Sequence, residues 1–437
     1  MKKRSSLLAI NRYLGTILIA GLFLYIWTEV YSRNIISPIY WKGNVLFLLL
    51  YLLVFSAFCE MYGGYDIGHR QLNEVVFANF LALLITNFLV FIISSLIARR
   101  MLGMGVYTLL SLGQMLVILL WAYSANKIYF ILSGSRKLLL VTDQGQQENR
   151  LKNKFDGIPQ KYTIAEVISA NTDLAQIKTL LPSYDGIILQ GVKESAKREI
   201  VNYCFYHNIF LYIYPEASDI LTRASEIIVV GDMPVFYFHN RYIYRQIVKR
   251  SLDIVIAVSL LLVSLPILFI AMLAIFLEDQ GQIIYSQKRV GQHGKEFTLY
   301  KFRSMIKNSE TGVALLSRKN DERVTKVGAV LRRFHIDELP QLFNILRGDM
   351  SLVGPRPERP ELIAHYKKTI PEYDFRLKVQ AGLTGYAQVI GKYNTSPEDK
   401  LKLDLLYIEN YSFIMDLKII LLTIKAIFTK SSTEGFD

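Results

Sequence analysis

The chain has 437 residues, 52% of them hydrophobic, and a formal net charge of +13. That length calls for two or three folded units, and the apolar content calls for a membrane protein that still carries large polar parts. The charge points to anionic partners. With no aromatic-interleaved basic stripe, it points to lipid head groups and phosphorylated substrates, with no nucleic acid. Cys59 and Cys204 are the only cysteines, which excludes a disulfide framework or a cysteine metal site.

The N-terminus, MKKRSSLLAI, has the charge of a signal peptide but no small-residue cleavage site after it, so a retained helix is expected. Four apolar segments follow, at 8–28, 44–62, 75–97 and 102–124, each about the 20 residues a helix needs to span hydrocarbon. Lys2, Lys3, Arg4 and Arg12 flank the first, and Lys127, Arg136 and Lys137 follow the fourth. Arg99 and Arg100 argue weakly the other way. The balance predicts a four-helix transmembrane bundle over 1–132 with both ends in the cytoplasm.

Residues 133–235 alternate short apolar runs with polar helical stretches. Strands are expected at Lys137–Thr142, Tyr162–Ile168, Gly186–Leu189, Ile209–Tyr214 and Glu226–Val230, and helices near 172–181 and 193–207. The pattern is a Rossmann-like parallel sheet. Its first strand-to-helix turn, Thr142-Asp143-Gln144-Gly145-Gln146, has one glycine where a dinucleotide fingerprint needs three, so a scaffolding or regulatory role is favoured.

Ile254–Leu277 is a fifth apolar stretch without a charge, preceded by Arg241, Arg245, Lys249 and Arg250. Length predicts a fifth crossing. Pro266 near its midpoint permits a sharp kink, with Ser264 placed to satisfy a freed carbonyl, and a kinked helix can enter and leave on one face. Both topologies stand at this point.

Beyond Leu277 the chain turns polar. IIYSQKRVGQHGKEFTLYKFRSM (283–305) reads as a hairpin turning through Gly291 and Gly294 and delivering Lys301 and Arg303. A helix over 321–333 carries Arg332 and Arg333 into Asp337-Glu338. There Asp337 is expected to cap a helix, with Glu338 and Pro340 in its first turn. Arg347, Arg356 (between two prolines) and Arg376 complete six basic residues around two acids. That set suits phosphate or pyrophosphate, with guanidinium forks on the oxygens and a divalent ion bridging carboxylate to phosphate. A carboxylate can also attack phosphorus itself. No P-loop, kinase signature or HExxH is present, and His335 reads as a packing or surface residue.

Residues 246–430 resemble the bacterial sugar transferase family, the monotopic polyprenyl-phosphate phosphoglycosyl transferases. The match lies in KRSLDI, the proline-centred apolar stretch, YSQKRVG, KFRSM, DELPQL, GDMSLVGPRPE and GLTGYAQV. The four-span bundle and middle domain match its larger members. The resemblance implies transfer of hexose-1-phosphate from a UDP-sugar, glucose or galactose, to undecaprenyl phosphate with release of UMP. This is the first membrane step of capsule, exopolysaccharide or O-antigen synthesis.

The same resemblance gives Asp337 the role of nucleophile, forming a covalent aspartyl-phosphosugar, with Asp337 and Glu338 as the catalytic pair that would hold Mg2+ or, for Glu338, position the acceptor. It makes Lys301, Arg303, Arg332 and Arg356 phosphate-binding residues, and Arg376 joins them as one of the six basic residues around the acids. A re-entrant helix over 249–278, kinked at Pro266 with Ser264 two residues earlier, keeps a catalytic domain (236–437) on the cytoplasmic face of the inner membrane. Asp416–Lys430 is then an amphipathic surface helix, with Lys418 and Lys425 on one face. A homodimer is a further expectation. Two rival readings are a non-enzymatic membrane sensor or scaffold and a metal-dependent phosphohydrolase.

Overall fold

The computed structural model describes residues 2–32, 41–143, 146–159, 161–238, 242–306, 321–391 and 395–428. They form two compact units, Met1–Tyr214 and Pro215–Asp437.

The first unit opens with α1 (Lys2–Ile26), α2 (Trp41–Tyr62), α3 (Leu72–Ile97) and α4 (Met104–Ser133). Helix α1 packs on α2 and α4, and α3 packs on the same two. Their surface inverts that of a water-soluble protein. Ile17, Leu46, Leu53, Leu96 and Leu116 point outward, while Asn87, Gln114 and Tyr51 are buried. Gln114 Nε2 donates to the Ile19 carbonyl (3.0 Å) and to Tyr51 Oη (2.9 Å), and its Oε1 accepts from Asn87 Nδ2 (2.9 Å). Polar side chains bonded across helices are how apolar helices find partners in lipid, where burial of apolar surface gives no drive. Helix α4 continues past the expected end at 124 because Ala125 and Tyr129 pack against Ile67 and Val75.

The same unit then forms β1 (Arg136–Thr142), α5 (Gln146–Asp156), β2 (Tyr162–Ser169), α6 (Leu174–Leu180), β3 (Gly186–Leu189), α7 (Glu194–His207) and β4 (Phe210–Ile213). The sheet is parallel, in the order β2-β1-β3-β4. Successive strand residues face opposite sides. Leu139 and Val141 pack with Ile177, Ile200 and Cys204, while Leu138 and Leu140 pack with Leu151 and Ile188. Both faces are covered, which explains the unbroken apolar run of β1. Cys204 is thereby a packing residue. Of the turn after β1, Gln144 and Gly145 lie outside the described residues.

Glu226–Val230, expected as a fifth strand of this sheet, is elsewhere. It is β5, paired antiparallel with β6 (Met233–Tyr237) across a turn in which Gly231 has φ +68°. Both strands belong to the second unit, as does α8 (Ala217–Ala224), whose Ile220 joins the second unit's core. Residues 215–235, which the sequence reading assigns to the sheet domain, therefore fall in the second unit.

Helix α9 (Tyr242–Asp279) is a single 38-residue helix with Pro266 inside it. After it come β7 (Ile284–Val290), β8 (Glu296–Phe302), α10 (Lys326–Arg333), α11 (Gln341–Arg347), β9 (Ser351–Val353), α12 (Pro360–Lys367), β10 (Gly382–Thr384), α13 (Tyr386–Ile390), α14 (Pro397–Glu409) and α15 (Phe413–Phe428). With α9, the described residues include five helices long and apolar enough to cross a membrane.

Both halves of α9 pack on the polar part of its unit. Before the proline, Ala257 joins Leu342 and Ile345 in the main core, and after it Leu268, Ala271 and Ile275 pack with Phe302 and Leu331. The ends are pinned by polar groups. Arg250 donates to carbonyls in the last turn of α11, Ile345 (2.6 Å) and Leu346 (2.9 Å), where a cation also meets the negative end of the helix dipole. Lys249 pairs with Asp416 at 2.7 Å, and Glu278 accepts the Val327 amide at 3.1 Å. Ser264 donates to the Leu261 carbonyl (3.1 Å), not to that of Leu262, which Pro266 leaves without its helical donor.

In α15 Lys418 and Lys425, seven residues apart, share one helical face, but that face is not the exposed one. Lys425 is 9% exposed and Ile419 and Leu422 are buried, while Phe413, Ile414, Leu417 and Ile424 face outward. The outward face is therefore apolar. Residues 429–430 of this predicted segment lie outside the described residues.

Candidate active site

Strands β7 and β8 pair with Ile284 opposite Phe302 and Tyr285 opposite Lys301, so the hairpin delivers Lys301 one residue before the sheet ends. The turn uses Gly294 at φ +77° and His293 at φ +55°. Arg303 follows, its amide bonded to the Ile283 carbonyl (2.9 Å) and its guanidinium paired with Asp279 at the end of α9.

Helix α10 is capped by Thr325, whose hydroxyl accepts from the Gly328 amide at 2.9 Å. A Cβ on Gly328 would lie 2.1 Å from the Ser304 carbonyl oxygen, so only glycine lets α10 dock on the strand exit. The docking places Arg332 Nε 2.8 Å from Ser304 Oγ.

The chain then reverses through His335, left-handed at φ +55°, into a 3-10 turn over Ile336–Glu338. Asp337 therefore does not cap a helix: α11 begins at Gln341 with Pro340 before it. Asp337 is 7% exposed. Burial raises its carboxyl above the ordinary range, the Glu338 charge pushes the same way, and Lys301, Arg332 and His335 pull it back. A helix terminus that lowers it is not what the fold supplies.

Glu338 is the opposite case. Burial opposes its charge, yet Arg356 and Lys301 outweigh burial and hold the carboxyl well below the usual range. Its Oε1 accepts from Lys301 Nζ at 2.7 Å and from Arg356 Nη2 at 2.8 Å.

The Arg356 loop is built where two glycine motifs cross. Strands β9 and β10 run parallel, the Gly354 amide donates to the Thr384 carbonyl, and the Gly382 amide to the Pro355 carbonyl, both at 2.9 Å. A Cβ on Gly382 would fall 2.0 Å from the Gly354 nitrogen. GDMSLVGPRPE and AGLTGYAQV are therefore two halves of one clamp. The Arg356 side chain, 46% exposed, projects from it to Glu338.

Arg376 requires a correction. It is 3% exposed, paired with Asp404 at 2.8 Å and bonded to Tyr373 Oη (2.8 Å) and the Arg356 carbonyl (3.1 Å). It braces the Arg356 loop and presents no face to a ligand. Lys301, Glu338 and Arg356 thus meet directly, with Asp337 next to them in the chain. Arg332 and Arg303 lie along the Ser304 exit, and Arg376 lies behind. Arg347 is exposed at the end of α11, and Ser264 and Pro266 belong to α9.

Sequence reasoning missed Asp279, Ser304 and Asp404. Only Asp404 left a signal, as an acid among the apolar residues Leu401, Leu405 and Ile408 on one helical face. Among the described residues no cluster of three or more metal-ligating side chains exists. Two adjacent carboxylates nonetheless fit Mg2+, which takes one or two of them and completes its shell with substrate phosphate and water.

A buried carboxylate of raised basicity beside a clamped one, ringed by cations, is a charge arrangement suited to phosphoryl groups. Residues 244–430 match the family described as bacterial sugar transferase. The chain is 42% identical over 229 residues to UDP-N-acetylgalactosamine-undecaprenyl-phosphate N-acetylgalactosaminephosphotransferase of Aeromonas hydrophila, over 52% of this chain and 54% of that protein. It is 39% identical over 190 residues to the uncharacterized sugar transferase EpsL of Bacillus subtilis, 43% of this chain and 91% of that protein. It is 41% identical over 186 residues to the UDP-glucose:undecaprenyl-phosphate glucose-1-phosphate transferase of Caulobacter vibrioides, 41% of this chain and 70% of that protein. The chain belongs to the bacterial sugar transferase family. The match spans about half the length of the Aeromonas relative.

Proposed function

We propose that this protein transfers a sugar-1-phosphate from a UDP-sugar to undecaprenyl phosphate through a covalent aspartyl intermediate. The supporting observation is the divergence of the two carboxyls. Asp337 is buried with raised basicity, and Glu338 is locked in its charged form by Lys301 and Arg356. Opposed environments on paired carboxylates separate their roles.

In the first step an Asp337 carboxylate oxygen attacks the donor's β-phosphorus, and the bond to the bridging oxygen breaks, so UMP leaves with that electron pair. In the second a phosphate oxygen of the lipid attacks the same phosphorus and the aspartyl oxygen departs, regenerating the carboxylate. Lys301, Arg332 and Arg356 offset the charge gathered on the phosphoryl oxygens. Glu338 and Asp337 would hold Mg2+, which when bound neutralises phosphate charge. The relatives' names favour UDP-glucose or UDP-N-acetylgalactosamine as donor.

We read 1–132 as the four-span bundle and α9 as re-entrant, on the cytoplasmic face of the inner membrane. The fastening of both ends of α9 to one polar unit supports this, since an ordinary crossing would separate them by the hydrocarbon thickness. The catalytic part, in this reading, begins with α8. We extend the reading to a homodimer, because β5 and β6 form a lone two-stranded hairpin with Ile227, Val229, Met233 and Phe236 exposed. Such a hairpin is marginal without a partner. The product enters capsule, exopolysaccharide or O-antigen assembly.

Asp337→Asn tests the nucleophile. Turnover, read as UMP release dependent on polyprenyl phosphate, should fall by roughly 10^4-fold or more. Activity within about tenfold of wild type, about 1.4 kcal/mol of barrier, would exclude Asp337. UMP release that needs no lipid would favour the hydrolase.

A further inference from the structure

Beside the carboxylate pair, cations outnumber acids. Arg289, Arg356, Arg359, Arg376 and Lys400 gather around Glu358, and among the described residues the acids facing this group are Asp337, Glu338, Glu358 and Asp404. Five cations thus meet four carboxylates, one of which, Glu338, is also shared with Lys301. The end of β7 is tied to the Arg356 loop by the Val290 amide, which donates to the Glu358 carbonyl at 3.0 Å, so Arg289 is carried next to Arg356 and Arg359. Arg289 Nη1 is buried and has no hydrogen-bond partner among the described residues. A buried donor left without a partner is destabilising, and more so when it carries a charge. Burial and the charges of Arg359 and Arg356 push the Arg289 guanidinium down to about 10, with Glu358 and Tyr285 opposing them.

We infer that Arg289, Arg356 and Arg359 form a second anion subsite, adjoining the carboxylate pair, that takes a phosphate group. Converging guanidinium forks match phosphate oxygens, and a bound anion would satisfy Nη1 while relieving the crowding of like charge. The inference rests on the proposed phosphotransfer, whose two reactants each bring a phosphate that does not become the transferred group. One is the phosphate leaving with the nucleotide, and the other is the phosphate of the lipid acceptor.

The test is equilibrium binding to the full chain in nanodiscs, which needs no turnover and also runs in the Asp337→Asn background. Four probes are compared: UMP, uridine, a short-chain polyprenyl phosphate and the corresponding alcohol. Arg289→Gln should weaken one phosphate-bearing probe about tenfold and leave its phosphate-free counterpart unchanged. Selective loss of UMP assigns the subsite to the nucleotide, and selective loss of the polyprenyl phosphate assigns it to the acceptor. Without ligand, Arg289→Gln should melt at or above the wild-type temperature, because it removes a crowded buried cation. If that variant does not fold, Arg359→Gln carries the same comparison. A change under threefold for both phosphates, or equal loss of the phosphate-free counterparts, overturns the subsite. Those results leave the nucleophile untouched, just as an active Asp337→Asn would leave the subsite untouched.

Discussion

Asp337 and Glu338 adjoin in sequence, yet burial lifts one carboxyl while Arg356 and Lys301 overcome burial to depress the other. Linkage turns this into opposite stability profiles. For Asp337, the raised group, stability is fully present below the ordinary carboxyl range and lost as pH rises through the folded value. Asp337→Asn should therefore melt higher than wild type at pH 7.5, with the gain vanishing near pH 4 in a detergent melting series. For Glu338, the depressed group, stability is present above the ordinary range and lost only in stronger acid. Glu338→Gln should cost about 1–3 kcal/mol at neutral pH and less as pH falls below about 4. Arg376→Ala should cost about 3–5 kcal/mol, since it strands Asp404, which is 1% exposed, as an uncompensated buried acid. The acid pair and the cations around it were legible because six basic residues gather around two adjacent acids within glycine- and proline-rich segments. The role of Arg376 was not, because a sequence does not show that Asp404 faces it across the fold.

At the level of elements, turn chemistry was the most readable signal. Gly291 and Gly294 marked the β7–β8 hairpin, and the alternation of short strands with helices marked the parallel sheet. What failed was partnership. Glu226–Val230 has strand composition, and nothing local distinguishes a fifth parallel strand from half of an isolated hairpin. Likewise, Asp337-Glu338-Leu339-Pro340 suits a helix start, but the left-handed His335 tightens it into a 3-10 turn. Gly328→Ala should cost about 1–3 kcal/mol through overpacking against Ser304, and should reduce activity by shifting Arg332. Helix α9 gives a topological prediction. In a cysteine-free background, cysteines at Lys152 and Gln280 should both resist an impermeant thiol reagent in intact cells. Pro266→Leu, which restores a backbone donor to the Leu262 carbonyl and so favours a straight crossing, should expose only Gln280. Labelling of Gln280 in the parent would establish a fifth crossing.

On the scale of the whole molecule, the apolar exterior of α1–α4 and the exposed hairpin are surfaces that sequence composition announces without naming their partners. If a second copy covers the hairpin, Val229→Lys should convert a dimer to a monomer in nanodiscs, as read by single-particle mass. A monomeric parent would remove the dimer. The fastening of α9 at both ends has one more consequence. In the proposed reading, a catalytic unit pinned to a membrane helix by Lys249, Arg250, Glu278 and the Arg303–Asp279 pair cannot rise or dip to meet its acceptor. On that reading the lipid arrives sideways, so its search is confined to a plane and the soluble donor alone is sought in three dimensions. Initial rates should follow the mole fraction of polyprenyl phosphate in the bilayer and stay constant when vesicles of fixed composition are diluted at saturating donor and constant enzyme per vesicle.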